Sequence, residues 1–142
     1  MRAPIVPILL ALLATPALAQ DREPVTRQNL VDLAYVLGEA HALRQVCQGP
    51  GDQFWRGRMI RLVETEQPDA AMERRLRENF NTGFATRQGQ FPVCTPAARR
   101  AEAAAMAHGR ALAGRLSRAT RQARAAPDAG PPEFMADRPA PR

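Results

Sequence analysis

Cys47 and Cys94 are the only two cysteines in this 142-residue chain, and the segment ahead of them decides how they are to be read. Met1-Arg2 is a short basic start, and an apolar run follows from Ala3 to Ala14, with Ile5, Val6, Ile8, Leu9, Leu10, Leu12 and Leu13. Pro16 breaks that run. Ala17-Leu18-Ala19 then has the small-x-small pattern that signal peptidase needs, with Gln20-Asp21-Arg22-Glu23 directly behind it. The run is too short, and too interrupted by proline, for a membrane span. Residues 1–19 therefore read as a secretory signal cleaved after Ala19, and the remainder is expected to be periplasmic. An exported chain passes through an oxidising space, so one internal Cys47–Cys94 disulfide is the expected state. Closing a loop of that length contributes about 4 kcal/mol by chain entropy, a large share of a small domain's stability. A free thiol pair, a metal site and disulfides between chains are the alternatives. Neither cysteine follows the cleavage point directly, which argues against lipid attachment there.

Export also changes the meaning of the charge. The formal net charge is +6, and all 20 cationic side chains are arginine. That enrichment is compatible with codon bias as well as with function. In the cytoplasm such a balance would suggest nucleic acid. In the periplasm the accessible partners are anionic glycans, lipid headgroups and acidic protein surfaces. A cytoplasmic nucleic-acid binder is therefore expected only if the chain is not cleaved before Gln20.

Residues 20–125 are rich in helix formers and lack runs of β-branched alternation, which predicts an all-α domain. The spacing predicts a first helix over about Thr26 to Cys47, with Leu30, Leu33, Leu37, Ala40 and Cys47 on one stripe beside Ala34 and His41. Gln48-Gly49-Pro50-Gly51 ends it, and Asp52 is the expected N-cap of a second helix to about Glu66. Trp55, Met59, Leu62 and Val63 should face inward on that helix. A third helix is predicted from about Asp69 to Arg87, closed by Gly89, with Met72, Leu76, Phe80 and Phe84 as its apolar ladder. Thr95-Pro96 pairs a capping hydroxyl with proline at the first helical position and opens a fourth helix to about Arg124. Ala98, Ala101, Ala105, Leu112, Leu116 and Ala119 give that helix a narrow inner stripe. Residues 126–142 are Pro-rich and are expected to be a disordered tail. The disulfide would tie the end of the first helix to the entry of the fourth, with the second and third as a hairpin between. The expected fold is a small, stapled, four-helix bundle-like domain whose core leans on Leu, Ala, Phe54, Trp55, Phe80 and Phe84.

Catalytic constellations are sparse. Ser117 is the only serine and has no glycine elbow around it, and neither CxxC nor HExxH occurs. No cofactor and no metal are expected. His41 and His108 are the only histidines; if the first and fourth helices pack, both could meet near Glu39 as a site for a metal or a proton relay, the plainer reading being two partly buried or solvated histidines. The most individual stretch is Asp52 to Met59. There Trp55, Arg56 and Arg58 are candidates for binding a glycan or another anion by stacking and charge-assisted hydrogen bonds, unless Trp55 is core and the arginines are solvated. The arginine face of the fourth helix adds Arg99 and Arg100 as candidate contacts.

Four blocks carry a family resemblance: Leu33 to Arg44 with Cys47, Gly51 to Arg56, Asn79 to Phe84, and Cys94 to Glu102. Together they resemble a family of small exported two-cysteine helical proteins of alphaproteobacterial type, a domain of unknown function, over about residues 30 to 118. The resemblance implies a two-cysteine bundle and a Gram-negative envelope. It brings no activity, cofactor or catalytic residue. The leading expectation is a non-enzymatic periplasmic adaptor or envelope-maintenance factor that binds a protein or an anionic envelope component. The alternative is a small periplasmic hydrolase acting on cell-wall or glycan substrate through Glu39, His41 and His108.

Overall fold

The computed structural model describes residues 23–126, so the expected signal segment and all of the expected tail except Ala126 lie outside the described residues. Four helices account for most of them: α1 (Pro24–Gln48), α2 (Phe54–Glu66), α3 (Ala70–Gln90) and α4 (Pro96–Ala125). Among the described residues there is no strand. The ends follow from local chemistry. Thr95 Oγ1 accepts from the Ala98 N–H and Asp69 Oδ1 accepts from the Met72 N–H, each filling an orphan donor of a first turn. Gly49 leaves α1 at a φ of 103°, a conformation that suits glycine.

Three boundaries differ from the sequence reading. Helix α1 starts at Pro24, because proline at the first position lacks only a donor the helix would not use. Asp52 is not the N-cap of α2: Gln53 holds that position, and Asp52 Oδ1 instead accepts from the Phe54 N–H at 3.1 Å. Gly89 does not close α3. The helix runs on to Gln90, and the Phe91 N–H still bonds the Arg87 carbonyl at 2.9 Å before Pro92 prevents continuation. Glycine in a helix costs about 1 kcal/mol relative to alanine but does not forbid the conformation.

The packing is that of a hub. Helix α1 touches α2, α3 and α4, whereas the outer helices make at most marginal contact with one another. Helices α2 and α3 therefore do not form a packed hairpin; each is held separately by α1. The central helix is buried through almost every position from Leu30 to Leu43, so it has no single inner stripe. The core joins Leu30, Leu33, Ala34, Leu37 and Ala40 to Met59, Met72, Leu76, Phe80, Ala105 and Leu112, with Trp55, Leu62, Val63 and Leu116 half-buried against it. Phe54, expected in the core, is exposed at 44%: it opens α2 on the far side from Met59. Phe84 is half-buried.

Helices α1 and α3 run parallel, since Gln28 meets Arg75 and Glu39 meets Arg87. They cross with their backbones in contact. A Cβ on Gly38 would overlap the Phe80 carbonyl oxygen and lie 2.8 Å from its carbon. A Cβ on Gly83 would overlap the Tyr35 carbonyl oxygen in the same way, 3.1 Å from the Glu39 nitrogen. Helix α4 runs antiparallel to α1, with Gly109 against Val36 and Leu33, and Arg115 near Asn29. The Cys47–Cys94 disulfide, with Cα atoms 4.8 Å apart, fastens the end of α1 to the approach to α4.

Candidate functional site: a polar cleft on the central helix

Because α3 and α4 do not close over one another, one strip of α1 is only partly covered between them. Asp32, Tyr35, Val36 and Glu39 stand three to four residues apart and therefore share that strip. Asn79 and Arg87 of α3 form one wall and His108 of α4 the other, enclosing a cleft of about 440 Å³. Glu39 is buried, with 9% of its side chain exposed, and its Oε1 lies 2.8 Å from Arg87 Nε. That contact is an ion pair rather than an aligned hydrogen bond: the buried Arg87 Nε–H points away from any acceptor among the described residues. Arg87 also donates through Nη1 to Gln90 Oε1 at 2.8 Å, and Asp32 Oδ1 accepts from Gln28 Nε2 at 2.7 Å.

Of the three residues considered for hydrolysis, Glu39 and His108 line this cleft and His41 does not. The cause is helical register. Helix α3 crosses α1 over Gly38, so Glu39 emerges on one side of α3 and His41 on the other. His41 is 2% exposed and lies against Phe80 and Phe84, with ring centroids 5.6 and 5.3 Å away. Its Nε2 is 3.3 Å from Gln45 Nε2, an amide nitrogen that can only donate. Its Nδ1 is buried without a hydrogen-bond partner among the described residues. Burial lowers the His41 pKa and the Arg56 guanidinium lowers it further, against a smaller raising influence of Asp52. His41 is thus a neutral packing residue between α2 and α3.

The candidates at the stapled end form a second feature. Gln45 Nε2 donates to the carbonyls of Pro50 and Asp52 at 2.9 and 3.1 Å, and Arg44 Nε donates to both Asp52 carboxylate oxygens at 3.0 and 2.9 Å. Burial pushes the Asp52 carboxyl up, but the Phe54 N–H, Arg44 and His41 together outweigh it and hold the group below its usual range. The guanidinium carbons of Arg44 and Arg58 stand 4.9 and 5.1 Å from the Phe54 ring centre, and the Trp55 ring meets Phe54 edge-on at 4.9 Å. Trp55 is half-buried with its indole N–H unpartnered among the described residues, while Arg56, Arg58, Arg99 and Arg100 are exposed. All five lie in the first turns of α2 and α4, which begin at the same end of the bundle.

Asp32, Tyr35, Asn79 and Arg87 were not singled out by the sequence. The available signal was three polar residues, Asp32, Tyr35 and Glu39, sharing one face of a helix otherwise apolar through its centre. Arg87 had none, being one arginine among many.

Fold and site together define a small, disulfide-stapled, all-α domain with a polar cleft beside its central helix. A family model described as protein of unknown function, DUF2385, matches residues 26–119, and the chain belongs to that family. No curated protein and no solved structure matches the chain. No helix among the described residues is long and apolar enough to cross a membrane.

Proposed function

We propose that this chain is a non-enzymatic periplasmic protein of the alphaproteobacterial envelope, an adaptor or maintenance factor that binds an anionic envelope component. The observation that supports the reading most directly is the composition of α4, which carries seven arginines and one glutamate. Its inner seam is Ala98, Ala105 and Leu112, and every one of its arginines is exposed. Among the described residues none of them has an ion-pair partner, in contrast to Arg44, Arg77 and Arg87. Arg99, Arg110 and Arg121 recur at three-turn intervals of about 16 Å along one flank, a spacing suited to an extended anionic surface. Trp55, Arg56 and Arg58 extend the cationic surface at the stapled end. The test is cosedimentation of the full chain with isolated envelopes across a salt series. Charge reversal at Arg99 and Arg100 should abolish a salt-sensitive interaction, and full retention by the variant would count against the reading.

The alternative, a small hydrolase acting on cell-wall or glycan substrate, draws its support from Glu39 and His108 sharing one cleft. It lacks His41, and its acid is already occupied by Arg87. Peptidoglycan zymography decides it: a clearing zone lost in Glu39→Gln would establish hydrolysis, and no zone from the unmodified chain would dismiss it.

A further inference from the structure

The cleft places charge where the fold has no need of it. A hub helix surrounded by three others is best served by apolar residues in its middle, and α1 has them on every other side. Glu39 is nevertheless buried at 7% exposure, at a cost that its misaligned pairing with Arg87 offsets only in part. An apolar pair of similar volume would hold α1 to α3 nearly as well.

We propose that the cleft between α3 and α4 is a binding site for a small zwitterion, of the class of free amino acids and short peptides with unblocked ends. The polarity is built along the cleft. Asp32 and Glu39 supply carboxylates two turns apart on α1, with Tyr35 between them, so that either carboxylate is placed to accept an ammonium group by charge. Arg87 and His108 face them from the two walls, and the unmatched Arg87 Nε–H is the donor a ligand carboxylate would satisfy. Asn79, two turns before Arg87 on α3, keeps its amide oxygen as an acceptor while its Nδ2 donates to the Arg75 carbonyl at 2.8 Å. The cleft volume falls within the range of small-ligand sites. Glu39 and Arg87 hold one another while the cleft is empty, so the ligand exchanges this intramolecular pair for two intermolecular ones, and neither charge is ever left unpaired. On α4, His108 lies on one flank of the buried seam and the Arg99–Arg110–Arg121 ladder on the other, so the site is separate from the anionic surface proposed above.

The experiment is a two-dimensional NMR titration of the full chain with alanylglycine. N-acetylated alanylglycine and alanylglycine amide serve as the comparison compounds. Shifts confined to the cleft residues Asp32, Tyr35, Glu39, Asn79, Arg87 and His108 are expected with the free dipeptide and not with either blocked one. Asp32→Asn and His108→Ala sit at half-buried and exposed positions and keep the fold; each should weaken binding about tenfold or more. Equal shifts from a blocked compound would overturn the assigned ligand chemistry. Absence of any shift at millimolar dipeptide would overturn the site. Neither outcome touches the envelope test, which reads α4 arginines outside the cleft.

Discussion

Gly38 and Gly83 stand on the two sides of the crossing of α1 and α3, each with the other helix's backbone in the space its own side chain would need. The atoms a Cβ would strike are the carbonyl oxygens of Phe80 and Tyr35, which belong to helix backbone and have no rotamer through which to yield. Gly38→Ala and Gly83→Ala should each destabilise the domain by about 3 kcal/mol, lowering Tm by more than about 10 °C. Gly89→Ala is the internal control. Nothing lies within 4 Å of its would-be Cβ, so alanine there should raise stability by about 0.5–1 kcal/mol. Thermal denaturation of the three variants tests the crossing directly, and a Gly38→Ala variant as stable as the parent would refute it.

That crossing was not legible in the sequence, although both glycines stand inside helical patterns where they cost stability. Much else was. Thr95-Pro96, Asp69 and the Gly49-Pro50-Gly51 break act within a few residues of themselves, and their consequences were read correctly. The pairing of Cys47 with Cys94 also followed, because only one internal pairing was available. What failed was the assignment of faces. The leucines of the first helix make it look amphipathic, yet Ala34, Val36, Ala40 and Ala42 on its other sides are small enough to admit three neighbours at once. Whether Glu39 and His41 share a site depends on where the third helix crosses, and no local pattern encodes that.

Opening the staple should be costly. The Cys47→Ser/Cys94→Ser double variant is expected to lose about 4 kcal/mol, and reduction of the parent protein should lower Tm by a comparable amount. Since α4 is held otherwise only through its seam with α1, amides of its first turns should lose hydrogen-exchange protection before those of α3. Equal loss in both helices would contradict that order.

Acid should act through His41 before it acts through the carboxylates. The folded pKa of His41 lies below that of the unfolded chain, so stability is full above about pH 6.5 and declines as pH falls toward the folded value. Asp52 and Asp69 are also held below their usual range: for Asp69 the Met72 N–H is the main cause. Their contributions fade at lower pH, below about 4. A His41→Phe variant should flatten the Tm profile between pH 7 and 5, as read by denaturation over that range, and leave the steeper acid limb in place. An unchanged profile would mean that the ring is solvated.

The Glu39–Arg87 pair should respond unevenly to mutation. Arg87→Leu strands a buried carboxylate and should cost about 2 kcal/mol or more, whereas Glu39→Leu with Arg87→Leu should recover most of that loss. Double-mutant analysis of Tm gives the coupling. If the double variant is no better than Arg87→Leu, the pair is structural and the case for a ligand-ready charge is gone.

The hub arrangement has a consequence for biogenesis. The helix that all the others lean on is made before them, and between Leu30 and Leu43 it presents apolar surface on every side but the Asp32–Tyr35–Glu39 strip until Leu112 arrives some seventy residues later. No pair of neighbouring helices can cover it in the meantime, because α2 leaves the α3 and α4 sides bare. A nascent chain of this design keeps the α4 side of its central helix bare for nearly the whole of its translation, until the last helix docks.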